Sequence, residues 1–194
     1  MALYIYKHRT MKNTMFITAI LFALSCKAQT PIVSFTDYCE NNHPRTFNMY
    51  VKDIEGFLTP YVGTWKWQNG NDMLMITLFK AEMVHNGDRY DDELHGKMKY
   101  VKNGREVFNT LVNGPDVLES YDCIPIDNEY RFSFKDPIKA GKYGEVYITL
   151  LDNNTKIKFY LVNNEGPKFT FPGEPPFDWE FSMPRRTEFV LNKL

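Results

Sequence analysis

The run Met73–Met83 divides by a period of two, with Leu74, Ile76 and Leu78 on one face and Met73, Met75 and Phe79 on the other. That period belongs to an extended chain, whose successive side chains point to opposite sides. Polar turns bracket the region. Gln68-Asn69-Gly70-Asn71 precedes it and Lys102-Asn103-Gly104-Arg105 follows the next strand. Each turn carries Asn-Gly, the pair best suited to a tight two-residue hairpin. Trp65 and Trp67 share one face of a first strand. Six further strands follow Met73–Met83: Leu94–Val101, Glu106–Val112, Tyr130–Phe134, Gly144–Leu151, Thr155–Val162 and Thr187–Lys193. Val84–Asp92 reads as a polar loop. Eight strands joined in order predict an all-β, eight-stranded up-and-down antiparallel sheet. Closing it into a barrel removes the two exposed edges and leaves room for packed side chains or one small ligand. A β-sandwich is the alternative, but it needs long crossovers that are scarce here.

Upstream of the strands, Asp53 can cap a short helix that Pro60 ends. Residues 29–52 form a lead-in with one short strand, Ile32–Phe35. Residues 1–28 differ from the rest. From Met11, a lysine, an apolar run Met15–Leu24 and then small residues compose a secretory signal peptide, too short for a spanning helix. Met11 is a candidate start. The mature chain, 29–194, is a single domain. Cys26-Lys27-Ala28 offers a signal-peptidase site giving Gln29. Ala23-Leu24-Ser25-Cys26 offers a lipidation site on Cys26 instead, with a small Ala23 where a larger aliphatic residue is usual. Both routes predict an exported protein, periplasmic or secreted, or anchored in the cell envelope through a lipid on Cys26.

Charge narrows the partners. The whole chain carries a formal net charge of -1. Losing Lys7, Arg9, Lys12 and Lys27 takes the basic count from 23 to about 19 against 24 acids, a mature charge of about -5. The ribbon Lys97, Lys99, Lys102 and Arg105 is therefore a solvated face, and no nucleic-acid partner is expected. An exported pair of cysteines, Cys39 and Cys123, can form a disulfide.

Gly63-Thr64-Trp65, opening a first strand after a short helical turn, resembles the lipocalin and calycin superfamily. The signal ending SCKAQ, the stretch IEGFLTPYVGTW, the hairpin DELHGKMKYVKNGRE and the ending MPRRTEFVLNKL resemble a family of secreted, lipocalin-like bacterial proteins of unknown function, over about residues 11–194. The resemblance implies a fold and a compartment, and no activity. It also implies a structural trio. Gly63 turns the chain into the barrel, Trp65 plugs the closed end, and Lys193, where the superfamily usually has Arg, packs on Trp65. The order of strands then sends Cys123 and Cys39 to the closed end.

The expected function is non-catalytic binding of a small hydrophobic or amphipathic ligand, or a lipid, inside the barrel. Trp67, Ile157, Phe159 and Leu161 are the expected lining, with Phe177 and Trp179 in the long loop Asn163–Met183 as a lid. The alternative is an envelope structural or protein-interaction module with a filled barrel. No catalytic motif is present: GxSxG, HExxH, CxxC pairs and phosphate loops are absent. No cofactor or metal is expected. His43 lies in a polar segment, and the acids Asp88, Asp91, Asp92 and Glu93 around Arg89 lack the spacing of a calcium loop. Oligomeric state is left open.

Overall fold

In a computed structural model of the chain, the residues described are 30–40, 46–121, 125–163, 172–173 and 178–194. The segments carrying Cys26, His43, Cys123, Phe169, Phe171 and Phe177 lie outside them.

The strands are β1 (Ile32–Ser34), β2 (Met49–Lys52), β3 (Gly63–Asn69), β4 (Asp72–Asn86), β5 (Arg89–Lys102), β6 (Arg105–Asn109), β7 (Leu118–Ser120), β8 (Glu129–Lys135), β9 (Tyr143–Leu151), β10 (Lys156–Val162) and β11 (Glu188–Lys193). A short helix, α1 (Phe35–Cys39), follows β1. Ser34 caps it, its hydroxyl accepting from Asp37 N at 3.1 Å. A 3-10 turn, Thr59–Tyr61, precedes β3. Eight strands close into an antiparallel barrel in the order β5-β4-β3-β11-β10-β9-β8-β7, and β7 pairs back on β5.

The tight turns fall at Gly70 and at Asn103-Gly104, all with positive φ. Lys102 and Asn103 tie one hairpin to the other through the Asp72 carboxylate. The segment read as a polar loop, Val84–Asp92, is instead the end of β4, a turn at Gly87-Asp88, and the start of β5. A bulge between Ala81 and Val84 shifts the register there. The fourth barrel position is also split. β6 pairs with one end of β5, and β7 pairs with β5 only through His95↔Glu119 and Gly96↔Leu118. Beyond that point β5 takes a different partner, the parallel strand β2, through Met49↔Arg89 to Val51↔Asp91. β1 pairs with β2 in parallel at the sheet edge.

The barrel core is dense with large side chains. Trp65, Leu74, Ile76, Leu94, Met98, Leu118, Tyr130, Phe132, Phe134, Val146, Ile148, Ile157, Phe159, Leu161 and Leu191 are wholly shielded from solvent. They come from every strand of the ring, at alternate positions, so their burial is the period-two pattern made physical. No helix among the described residues is long and apolar enough to cross a membrane.

Candidate functional site

At the closed end, the 3-10 turn sits under the barrel because Trp65 Nε1 donates to Tyr61 O at 2.9 Å. Lys193 pairs in register with Trp65. Its Nζ stands 4.8 Å from the Trp65 ring centroid and donates to Pro60 O at 3.3 Å. Gly63 has φ 141°, and a Cβ there would lie 2.9 Å from Lys193 Cε. The backbone torsion and the close approach of the lysine therefore both call for glycine. The three residues form one closure, with a cation on the face of an indole.

The expected interior lining is brought together in the barrel. Ile157, Phe159 and Leu161 are fully buried. Trp67 is half-buried and meets Phe189 edge-on at 4.9 Å, and Phe189 in turn neighbours Phe159 at 6.3 Å. These side chains belong to one packed core cluster, with Trp67 at its border.

Of the two lid aromatics, Phe177 lies outside the described residues, and Trp179 is 37% exposed. The residues of this segment that enter the core are Phe181 and Met183. Phe181 packs edge-on to Phe134 at 5.7 Å, over Gly144, where a Cβ would come within 2.8 Å of its ring. Asp136 fastens the segment. Its carboxylate accepts from Ser182 N at 2.7 Å and from the Ser182 hydroxyl, and also from Ile138 N and Lys139 N. Burial alone would raise the Asp136 pKa, but these hydrogen bonds hold it below the usual carboxylate range. Lys139 and Lys142 add bonds to Asp178.

The acidic cluster around Arg89 is divided among separate partners. Asp91 takes Arg89 Nε at 2.8 Å. Asp92 is buried and takes Lys80 Nζ at 2.8 Å, Asp53 N at 3.1 Å and the Tyr50 hydroxyl. Burial works against its charge, yet the Lys80 and Tyr50 bonds keep its pKa low. Asp53 caps the turn before the 3-10 segment, accepting from Phe57 N at 2.7 Å and Leu58 N at 3.2 Å. Glu93 and Asp116 hold His95 from its two ring nitrogens, at 3.1 and 3.0 Å. The Glu93 bond, reinforced by Asp116 against the cost of burial, pushes His95 up to about 9. Among the described residues, no three His, Cys, Asp or Glu side chains are placed to hold a metal ion.

A hollow lies in the wall, where β5 leaves β7 for β2. It has a volume of about 320 Å³ and is lined by Phe35 and Val51, by Asn86, Arg89, Asp91, Asp92 and Glu93, and by Glu119, Ser120, Tyr121 and Ser133. Phe35 and Val51 are buried and make an apolar floor. The hydrogen bond from Leu94 N to Ser120 Oγ, 2.9 Å, takes the place of the next strand rung. Apolar floor and convergent polar rim are the usual make-up of a small-molecule site, at the small end of the usual range of roughly 300–1,000 Å³. Two shallower hollows of about 520 Å³ each open on the outside of β8, β9 and β10, sharing Glu129 and Lys158. Sequence reasoning did not find the wall cleft. It depends on one strand changing partners between two elements distant in the chain, and no local pattern encodes that.

The chain is thus an eight-stranded antiparallel β-barrel protein with a wall cleft. The model of a family of unknown function (DUF6705) matches residues 11–122, more than half of the chain, and the chain belongs to that family. Of the described residues lining the cleft, the matched span includes all but Ser133. No curated protein and no solved structure matches the chain.

Proposed function

We propose that this chain is an exported, non-catalytic, lipocalin-like barrel that binds a small amphipathic molecule in the wall cleft, with its interior serving as scaffold. The observation that carries this reading is the contrast between the two places. The interior positions Ile157, Phe159 and Leu161 are fully buried in mutual packing, whereas the cleft keeps about 320 Å³ over an apolar floor. Lys193 over Trp65 beside Gly63 supports the lipocalin-like assignment. The family match opening at Met11 supports that residue as the start of the signal peptide.

The pairing of Cys39 with Cys123 belongs to the same reading. Cys39 ends the helix that carries Phe35, and Cys123 lies two residues beyond Tyr121; Phe35 and Tyr121 line the same cleft. A bridge there would staple α1 across the stretch of wall where β5 leaves β7 for β2. Non-reducing peptide mapping of envelope-purified protein should return a Cys39–Cys123 peptide and an N-terminus at Gln29. A lipid mass on Cys26 would replace the soluble form with the anchored one.

The binding reading is tested by native mass spectrometry of protein incubated with a small-molecule extract, beside the variant Ser133→Trp, which fills the cleft from β8. The expected result is an adduct on the wild type that the variant loses. An adduct retained by a folded Ser133→Trp, or no adduct on either, overturns the reading. The latter outcome favours the envelope structural or interaction module with a filled barrel.

A further inference from the structure

The cleft's polar groups differ in what they still have to offer. Arg89 spends Nε on Asp91 and lies over the Tyr38 ring, its guanidinium carbon 5.0 Å from the centroid. These contacts hold the guanidinium at the cleft, and its terminal nitrogens make no hydrogen bond among the described residues. Asp91, Asp92 and Glu93 are matched by Arg89, Lys80 and His95 respectively. The Glu119 side chain is exposed and has no ion-pair or hydrogen-bond partner among the described residues, and neither has the side chain of its register neighbour Ser133. One cation with open donors therefore faces one carboxylate with open acceptors, across a floor made by Phe35 and Val51.

Spacing sets the length of the ligand. Glu119 pairs with His95, six residues along β5 from Arg89, about 20 Å of extended strand. The guanidinium folds forward to Asp91, two residues nearer. About 13 Å of strand remains. Side chains stand roughly perpendicular to a strand, so Glu119 covers little of that length, and two hydrogen bonds of about 3 Å each leave about 7 Å for the ligand. A free amino acid is too short for that, and a chain of two residues is not. Resting on the reading of the cleft as a binding site, we propose that it takes a short free-ended peptide. The peptide's carboxylate meets the Arg89 guanidinium, its ammonium meets Glu119 and Ser133, and an apolar side chain lies on Phe35 and Val51. The floor selects apolar side chains, and the two ends select unmodified termini.

Calorimetric titration of the full-length mature protein with Leu-Leu tests this, beside N-acetyl-Leu-Leu, Leu-Leu-amide and free leucine. Leu-Leu should bind. Each capped form and free leucine should bind at least about tenfold more weakly, since each loses a hydrogen bond to a charged group. Glu119→Gln, an exposed change, should weaken Leu-Leu about tenfold and leave the residual affinity insensitive to N-acetylation. Arg89→Gln should do the same for amidation, and circular dichroism reports whether either variant is folded. Failure of Leu-Leu to bind, equal affinity for the capped forms, or tighter binding of leucine overturns the peptide assignment. If an extract adduct is still lost in Ser133→Trp, the cleft remains a binding site and only its ligand class is wrong.

Discussion

At the scale of single residues, the closed end depends on Gly63 and Lys193 fitting each other. Ala at 63 would have to hold φ 141° and place Cβ against Lys193 Cε. Gly63→Ala should cost about 2 kcal/mol, within the range of backbone strain, and Lys193→Met about 1 kcal/mol, the worth of a cation over an aromatic face. Denaturant unfolding of the double variant should show less than the sum, because the alanine Cβ at 63 meets Lys193 Cε and already displaces the ammonium from the Trp65 ring, so the cation contact is lost only once. His95 makes a different demand. Two carboxylates raise it to about 9 in the folded chain, above its unfolded value of about 6.5. The folded state therefore binds the proton more tightly. The stabilisation is fully present below about 6.5 and is lost as pH rises through about 9. Thermal melts of His95→Gln against wild type should diverge most below pH 6.5 and converge above pH 9; a constant difference would show that the clamp works by packing instead.

Among the elements, the strands joined by short turns were the legible ones. Asn-Gly and Asp-Asn-Asn turns fix hairpins by torsion alone, so β3 with β4, β5 with β6, and β9 with β10 could be placed from sequence. The parts that escaped obey longer-range rules. The charged residues of Val84–Asp92 read as loop, yet they extend β4 and β5 because each finds a partner: Asp92 with Lys80, Asp91 with Arg89, Glu93 with His95. β2 is a strand only because β5 offers it a parallel edge, and β7 is three residues long, too short to show a period. Trp67, Ile157, Phe159 and Leu161 follow from alternation, but whether inward residues line a space or fill it is a matter of summed volume, which no spacing reveals. The lid segment shows the same gap: Phe181 enters the core because Gly144 makes room for it, a pairing across distant strands. Its clasp is testable. Asp136→Asn should speed hydrogen exchange at Ser182, Ile138 and Lys139, with the core strands β9 and β10 unchanged, since the clasp holds a local segment. Slow exchange at Ser182 in that variant would mean that Phe181 packing alone secures it.

For the whole molecule, the proposed function separates two jobs that an eight-stranded barrel often combines. The interior is packed and gives rigidity. The wall, where β5 passes from β7 to β2, gives a concave surface with an apolar floor and opposed charges. The cleft lies where the three-residue β7 stops pairing with β5, so an irregularity of the sheet is what the proposed site is built on. The measurement that tests this most directly is a crystal structure of the protein purified from its own envelope with whatever it carries. Ligand density is expected between Arg89 and Glu119 above Phe35, with Trp67, Phe159 and Phe189 in mutual contact. Density inside the barrel, parting Trp67 from Ile157, Phe159 and Leu161, would contradict it and return the site to the interior.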